Sequence, residues 1–492
     1  MKPTPSNRRA WFAVSAAVAL VVFRSLVFLC YEQNFDSDQA IVGLMAKHLS
    51  EFRALPLFFY GQNYMLGVEA WAAVPFFWLG GPTVTMLRMP LLLCNVAVAV
   101  LLIRLLTAGG VDPWLALIAA LPFAAAGAVA SAQLMTALGA SVEPLVYVIA
   151  LWLLRGRPVP FGVVLCLGSL HREFTMFAVP PILAWRWLER REIRWVAVAQ
   201  AASAFAIVWI AIDQLKRHVN IAGPDAPGAA TGSLALEAVQ VGRLLSFHPD
   251  VYAARLRLLL TQGLPDLFGA RPQPLVAAGI WGDGTIGSSL AGAALAAAIA
   301  LAAARLLWIA WRRRVAGIQP QLFLACVGVE ALLAYGLHGG TAIEPRTELN
   351  YVLLALLLAP ALLGAHFQQE RNAPMRRTVA ALTIAWALAM TADHARTIRE
   401  YVVSPPDSIH RTLADDLTTR RIKYAWAGYW DAYRVTFLAR ERVVVASTET
   451  VRIPGYQVRV ERNAANAARI VRAPCSGGRR VAEWCVFDPF ER

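Results

Sequence analysis

The chain has 492 residues, of which 58% are hydrophobic and only 16% are charged. An ordinary soluble domain is roughly 25% charged, and a mean hydropathy of +0.51 places most of this chain in a solvent less polar than water. Lysine and arginine outnumber aspartate and glutamate by 46 to 32, which gives a formal charge of +14. In a membrane protein this excess first reflects cytoplasmic loops and anionic lipid. The composition therefore excludes a soluble enzyme and argues against nucleic acid as a partner.

Eleven apolar segments predict crossings of a bilayer, so we expect a polytopic all-α membrane protein. They cover residues 11–30, 86–107, 114–130, 138–154, 158–170, 174–188, 195–212, 285–310, 319–337, 350–366 and 378–393. The first is basic at its start like a signal peptide, but Arg24 interrupts it and no small residue marks a cleavage site, so we expect an uncleaved span. The fifth and sixth are shorter than the roughly 20 residues of an untilted span, which places residues 171–173 between them at a recess.

Charge predicts the orientation of these segments. With the N-terminus in the cytoplasm, the cytoplasmic short segments carry sixteen basic residues and the opposite ones carry five, in agreement with the positive-inside rule. Residues 65–80 are also apolar, but a crossing there would move the basic residues 186–194 outside. We therefore expect residues 65–80 on the outer membrane surface, broken by Pro75 and by Gly80-Gly81.

Three segments then lie on the non-cytoplasmic side of the membrane: residues 31–85, residues 213–284 and a tail over residues 394–492. A membrane domain would occupy residues 1–393. The tail mixes β-branched runs at 443–445 and 456–460, which predict strands, with helical stretches at 408–421 and 429–440. This pattern predicts a small α/β domain.

The six cysteines divide into two groups. Cys475 and Cys485 lie close together in the polar tail, and we expect them to form a disulfide if the tail lies outside the cytoplasm. The other four lie in or beside apolar stretches, where a thiol is usually a small buried hydrophobic group. No cysteine or histidine cluster has zinc spacing.

The first outer loop holds the richest polar segment, Asn34-Phe35-Asp36-Ser37-Asp38-Gln39-Ala40-Ile41. Apolar positions after it follow one helix face, which predicts an amphipathic helix lying on the membrane; they are Ile41, Leu44, Met45, His48, Leu49 and Phe52. Asp38 would stand at the start of this helix. One interpretation is that Asp38 or Ser37 only caps the helix.

The alternative interpretation gives Asp38 a chemical role. A carboxylate at the boundary between water and lipid loses part of its hydration, which suits a general base that takes a proton from an acceptor hydroxyl. Asp36, two residues earlier, would then bind an acceptor or a cation, unless it is only a solvated loop charge.

Several of these residues resemble bacterial GT-C membrane glycosyltransferases, in the branch related to protein O-mannosyltransferases and aminoarabinose transferases. The resembling segments are the acidic loop at 35–40, the stretch Tyr60-Gly61-Gln62-Asn63-Tyr64, the start of the second span at Leu87-Arg88-Met89-Pro90, and the tail patch 429–437. In that group the catalytic aspartate of the first outer loop is usually followed by Glu and Ala. Here Gln39 replaces the Glu, so the role of that second acid passes to Asp36 or is absent.

The resemblance implies transfer of a sugar from a polyprenyl-phosphate donor to a lipid, glycan or protein acceptor on the outer face, with inversion at the anomeric carbon. Asp38 would be the base. Phosphate is a good leaving group, so the site needs a base and a cation that faces the phosphate. Arg346 and Arg172 are the candidate cations, because a guanidinium can hold two phosphate oxygens.

Other readings of these residues stay open. Arg172 can instead pair with Glu173, and Arg346 can instead anchor the outer surface. Glu143 lies either near the outer recess or at the lipid boundary, and we assign it no role. The candidates for binding the acceptor are Gln62, Asn63, Tyr64, Glu69, His171 and Glu173.

A divalent metal also stays open, with Asp36, Asp38 and Glu173 as the candidate ligands. The alternative function is a carrier or flippase for a lipid-linked glycan, which would need a similar polar recess facing lipid.

Overall fold

The computed structural model describes residues 5–62, 64–139, 141–190, 194–217, 223–224, 234, 247–270, 288–312, 317–337 and 349–489. Within these ranges the chain is mainly helical and carries one small sheet near its C-terminus. The expected fold class is confirmed: a multi-pass all-α membrane protein with a small C-terminal α/β domain. Most of the predicted outer segment 213–284 lies outside the described residues.

Each of the eleven predicted segments contains a helix. The α-helices before the tail are Pro5–Cys30, Ser37–Ser50, Val68–Gly80, Val84–Ala108, Pro113–Ala124, Ala128–Gln133, Glu143–Leu154, Pro158–His171, Val179–Arg190, Trp195–Lys216, Pro249–Leu258, Leu264–Leu267, Ser288–Arg312, Gln319–Gly336, Leu358–Gln369 and Ala373–Val403. Short 3-10 helices at Glu173–Ala178 and Leu349–Leu357 precede two of them.

Five helices in the described part of the chain are long and apolar enough to cross a bilayer on their own. They are Arg8–Cys30, Val84–Ala108, Trp195–Lys216, Leu290–Arg312 and Leu349–Gln369. Several of the other apolar helices are shorter and have proline in the first turn, as at Pro113–Ala124 and Pro158–His171. Proline is tolerated there because the first amides of a helix have no intrahelical acceptor.

Within residues 65–80 the chain forms one continuous helix, Val68–Gly80, with Pro75 inside it. The expected break at Pro75 is therefore wrong. The helix has 13 residues, or about 20 Å at 1.5 Å per residue, which is too short for a bilayer core of about 30 Å. Its buried face includes Ala70, Ala73 and Phe77, which pack into the core, and this packing offsets the amide hydrogen bond that proline lacks.

Arg24 lies inside the first span without facing lipid. It is 1% exposed, and its guanidinium donates to Asn95 Oδ1 at 2.7 Å and to Ser131 Oγ at 3.4 Å. A charge within a membrane span is costly unless protein groups solvate it. Arg24 therefore joins the first span to the second and to the helix Ala128–Gln133.

The segment that was expected to lie on the membrane is enclosed by protein. We call the helix Ser37–Ser50 the loop helix and the helix Tyr429–Leu438 the tail helix. Ten of the eleven positions from 37 to 47, and His48, are buried, because the loop helix packs against Val68–Gly80 on one side and against the tail helix on another. The prediction of an amphipathic helix lying on the membrane is therefore wrong, because the tail covers this helix.

The tail contains a five-stranded sheet in the order β2-β1-β3-β5-β4. The strands are Tyr424–Ala427, Val444–Ser447, Ala467–Arg472, Arg479–Val481 and Trp484–Phe487, numbered β1 to β5. β1 pairs in parallel with β2 and β3, whereas β5 pairs antiparallel with β3 and β4. A disulfide joins Cys475 to Cys485 on β5.

Three helices, Ile409–Thr419, the tail helix and Pro454–Arg462, complete the tail. The prediction of a strand at 456–460 is wrong. Pro454 occupies the first turn of a helix there, and the buried side chains Tyr456 and Val460 are four residues apart, as on one helix face.

Candidate active site

The loop helix presents Asp38 in its first turn. Asp36 is the N-cap, because its Oδ1 accepts a hydrogen bond from the Gln39 amide at 2.9 Å. The interpretation that Asp38 or Ser37 caps the helix is therefore wrong. Asp38 is partly buried, and its Oδ1 accepts a hydrogen bond from the Tyr429 hydroxyl of the tail helix. Its Oδ2 has no hydrogen bond to the described residues.

Asp36 differs from Asp38 in its electrostatic environment. Burial and the neighbouring charge of Asp38 raise the pKa of Asp36, and together they outweigh the hydrogen bonds from Gln39 and the charge of Arg434. The Arg434 guanidinium is mostly enclosed, and its Nε has no hydrogen-bond partner in the described part of the chain. The tail thus adds a cation next to the acidic loop.

Gln39 has a structural role that explains the amide at this position. Its Nε2 donates to the Asn34 carbonyl oxygen at 2.6 Å, which a glutamate could not do. Its Oε1 accepts from Arg88 Nη2 at 3.1 Å and from the Ala137 amide at 3.3 Å. Arg88 also donates to the carbonyl oxygen of Tyr31 at 2.9 Å. Gln39 therefore ties the loop helix to the second span and to residue 137.

A second polar group lies around His171. His171 Nε2 and Glu69 Oε2 are 3.0 Å apart, and the Tyr147 hydroxyl lies 3.1 Å from His171 Nδ1. Since an ionised carboxylate only accepts, His171 donates from Nε2 to Glu69. Gly139 closes the group: its φ is +74°, and a Cβ there would lie 3.0 Å from Glu69 Oε1. Two predicted acceptor residues, Glu69 and His171, are thus brought together.

Glu143 belongs to this group, although we assigned it no role from the sequence. It is buried, and its charge and that of Glu69 act on each other. Its Oε2 accepts from the Ser141 amide at 3.1 Å and from the Ser141 hydroxyl at 2.9 Å. The sequence feature that could have indicated this role is the position of Glu143 at the start of the helix Glu143–Leu154, on the predicted outer side of the membrane.

Arg172 and Glu173 do not form the ion pair that was one of the two readings. Arg172 donates from Nη2 to the Leu138 carbonyl oxygen at 3.2 Å, whereas Glu173 is exposed. The Nε of Arg172 is buried and has no partner among the described residues. Leu138 follows Ala137, the residue bound by Gln39, so Arg172 lies near the base of the loop helix.

The turn after the loop helix is held by the tail. Arg452 donates from Nη1 to the Gly61 carbonyl oxygen at 3.2 Å and lies beside Tyr429. Gln62 and Tyr64, two predicted acceptor residues, belong to this turn and are partly buried. Asn63 and Arg346 lie outside the described residues, so their predicted roles stay predictions.

The three candidate metal ligands, Asp36, Asp38 and Glu173, have different surroundings. Asp36 caps a helix, Asp38 binds Tyr429 and Glu173 is exposed. Within the described ranges no group of three or more His, Cys, Asp or Glu side chains is placed to hold a metal ion. These residues do not fit a metal site, and we assign no step to one.

Sequence reasoning missed the contribution of the tail to this site. The patch 429–437 resembled known relatives, but no role followed for Tyr429, Arg434 or Arg452. The structure places Tyr429 on Asp38, Arg434 near Asp36 and Arg452 on the turn at Gly61.

Comparison with solved structures identifies the fold. The chain is similar to ArnT from Cupriavidus metallidurans, solved with undecaprenyl phosphate, at a TM-score of 0.57 and 10% identity over 96% of this chain and 97% of the other. It is also similar to the Archaeoglobus fulgidus oligosaccharyltransferase, at a TM-score of 0.50 and 13% identity over 94% of this chain and 69% of the other. No family model and no curated protein sequence matches. The chain therefore shares the fold of ArnT, and the expected membrane domain with a small C-terminal α/β domain is confirmed.

Proposed function

We propose that this protein is an inverting glycosyltransferase that moves a sugar from a polyprenyl-phosphate donor to an acceptor hydroxyl. The observation that carries the proposal is the position of Asp38. It is a partly buried carboxylate with one oxygen held by Tyr429 and the other without a partner among the described residues. The fold around it is shared with an ArnT solved with undecaprenyl phosphate.

Asp38 acts as the general base in this proposal. Its Oδ2 takes the proton of the acceptor hydroxyl while the acceptor oxygen forms a bond to the anomeric carbon. The bond from that carbon to the phosphate oxygen breaks on the opposite face, and polyprenyl phosphate leaves with the electron pair. The configuration at the anomeric carbon is therefore inverted. We assign Asp36 to fixing the start of the loop helix, since its Oδ1 is occupied by the cap bond.

The leaving phosphate needs positive charge next to Asp38. Arg172 is one candidate, because its buried Nε has no partner among the described residues and it lies near the base of the loop helix. Arg434 adds charge from the tail, next to Asp36. A guanidinium binds phosphate oxygens through charge-assisted hydrogen bonds. Arg346 is a further proposed ligand from sequence.

The acceptor would lie between the turn at 61–64 and the group around His171. Glu69 Oε1 is buried without a hydrogen-bond partner among the described residues, so it can accept from a hydroxyl. Gln62 and Tyr64 supply polar atoms from the turn. Glu173 is exposed at the same end of the bundle, and we keep it as an acceptor candidate together with His171 and Asn63.

The site would face the periplasm of a bacterium. Residues predicted to lie on the cytoplasmic side do meet at one end of the bundle: Gln368 Nε2 donates to the carbonyl oxygens of Gly109 and Gly317 at 2.6 and 3.0 Å. By the predicted order of the spans, Asp38, His171 and the tail lie at the opposite end of the bundle from Gly109, Gly317 and Gln368. The excess of arginine on the side of Gly109 supports a cytoplasmic location for that end.

Asp38→Asn tests the base, and Asp407→Asn, an exposed aspartate of the tail, is the matched control. Purified protein in nanodiscs receives a radiolabelled polyprenyl-phosphate sugar and a membrane extract as the acceptor source. We expect wild type and Asp407→Asn to form a labelled glycosidic product and Asp38→Asn to lose at least about 99% of the rate, because general base catalysis contributes about a hundredfold or more.

Two results would contradict the proposal. Full transfer by Asp38→Asn would remove Asp38 as the base. Movement of labelled lipid between leaflets without any new glycosidic bond would identify a flippase instead. Loss of activity with excess chelator, restored by a divalent cation, would show that a metal takes part and would leave the role of Asp38 as the base unchanged.

A further inference from the structure

The tail helix lies along the loop helix, and both ends of the tail helix contact the start and the middle of the loop helix. At the start, Ser37 Oγ donates to the Tyr429 carbonyl oxygen at 2.7 Å. In the middle, the Phe437 ring lies so close to Gly43 that a Cβ on Gly43 would be 2.5 Å from its Cε2. The two helices therefore run in the same direction, with residue 37 beside 429 and residue 43 beside 437.

A cluster of charges completes this contact at the other end of the loop helix. Glu441, just after the tail helix, accepts from Lys47 Nζ at 2.6 Å and lies 3.1 Å from His48 Nε2. Both Arg440 and Glu441 have positive φ angles, 54° and 61°, a conformation that non-glycine residues rarely adopt. The chain thus turns sharply to bring this carboxylate to the loop helix.

Within this frame the Tyr429 hydroxyl binds Asp38. Tyr429 is 7% exposed, and burial together with the charge of Asp38 raises its pKa, so the phenol keeps its proton and donates. Only Oδ1 of Asp38 takes part. A carboxylate whose one oxygen is bound to a fixed donor has its other oxygen fixed in direction as well.

We propose that Tyr429 is a positioning residue, whose hydroxyl orients the carboxylate of Asp38 so that Oδ2 faces the acceptor hydroxyl. This inference rests on the proposed function. The proton passes from the acceptor to Oδ2, and the Tyr429 hydroxyl keeps its own proton throughout. The tail is then a working part of the site rather than an attached domain.

Tyr429→Phe tests the proposal because it removes one hydroxyl and keeps the ring. Tyr424→Phe, in β1 of the same tail, is the matched control, since its hydroxyl makes no hydrogen bond to the described residues. We expect Tyr429→Phe to lower kcat by about tenfold to a hundredfold with little change in KM for the donor, because misplacing a reacting group by about 1 Å costs that much. Tyr424→Phe should match wild type.

The amount of folded protein separates positioning from general loss of structure. Tyr429→Phe should lose activity at a temperature at which its melting curve shows that it is still folded. A partly unfolded protein would lose activity and folded fraction together. An unchanged kcat in Tyr429→Phe would overturn the inference, and so would a rise in kcat, which would mean that the contact blocks the base.

Thermal unfolding tests the contact without any activity measurement. Asp38→Asn and Tyr429→Phe are measured singly and together, and non-additive shifts of the melting midpoint are expected if the side chains touch. Additive shifts would overturn the inference even in an active enzyme. Absence of transfer in wild type would instead refute the proposed function, and with it the role given to Tyr429, while leaving a non-additive contact intact.

Discussion

The charge cluster around Glu441 makes the docking of the tail measurable. The Glu441 carboxylate contacts four side chains: Lys47 at 2.6 Å, Arg53 at 2.6 Å, Tyr456 at 2.9 Å and His48 at 3.1 Å. Burial alone would raise the pKa of Glu441, but hydrogen bonds from His48, Arg53 and Lys47 outweigh it and hold the pKa well below its usual range. The carboxylate is therefore ionised at neutral pH.

Glu441→Gln removes this charge and keeps one acceptor oxygen. Lys47 and Arg53 each retain Glu51 as a partner, at 2.9 and 3.1 Å, so neither cation is left alone. A hydrogen bond to a charged group contributes about 1.5 to 3 kcal/mol, and the bond from Arg53, whose side chain is 31% exposed, contributes less than about 1 kcal/mol. We expect the free energy of unfolding to fall by about 2 to 4 kcal/mol.

The assay compares melting midpoints of wild type, Glu441→Gln and Glu461→Gln in the same detergent. Glu461 is an exposed glutamate of the tail and serves as the control. Glu441→Gln should melt lower than the other two, and limited proteolysis should cut its tail sooner. Equal midpoints for the two glutamine variants would refute the reasoning, because the buried contacts would then contribute nothing.

Three further expectations follow from the same structure. Gly43→Ala presses a methyl group against a buried ring of the tail helix, so we expect the free energy of unfolding to fall by about 1 to 2 kcal/mol after the gain in helix propensity. Gly156→Ala is the control and should melt no lower than wild type, because nothing lies within 4 Å of the added Cβ. An equal loss in both variants would contradict the close approach at Gly43. Burial lowers the pKa of His48, so the unfolded chain binds the proton first and stability should fall as the pH drops below about 6.5. His48→Gln should reduce that fall, and an unchanged pH dependence of the melting midpoint would argue against it. A thiol titration of denatured, unreduced protein should find four free thiols. Six free thiols would rule out the Cys475–Cys485 bridge. Reduction of the bridge should destabilise the tail by about 2 to 3 kcal/mol.

The membrane part was predictable because lipid imposes a simple requirement on the chain. A span must satisfy its backbone internally and present apolar side chains, and this leaves long hydrophobic runs in the sequence. The same reasoning predicted Asp38 at the start of a helix, because an acidic pair after an apolar run and before a helical pattern indicates a helix start at the membrane boundary. Pro75 was misjudged because packing outweighed a local propensity.

The contacts of the tail could not be predicted in this way. Tyr429 and Asp38 are 391 positions apart, and no periodicity relates them. The pattern at 456–460 alternates like a strand, yet the same residues supply two buried positions of a helix, and only the neighbouring elements decide between these periods. The burial of the loop helix likewise depended on a partner from the far end of the sequence.

The helix Ala373–Val403 has a mechanical consequence for the whole molecule. It runs for 31 residues without a break and continues beyond residue 393, where a boundary was expected. At 1.5 Å per residue it is about 46 Å long, while the hydrocarbon core of a bilayer is about 30 Å thick. Roughly a third of the helix length therefore extends beyond the hydrocarbon core, so the last span is continuous with a helical segment that leads out of the membrane towards the tail.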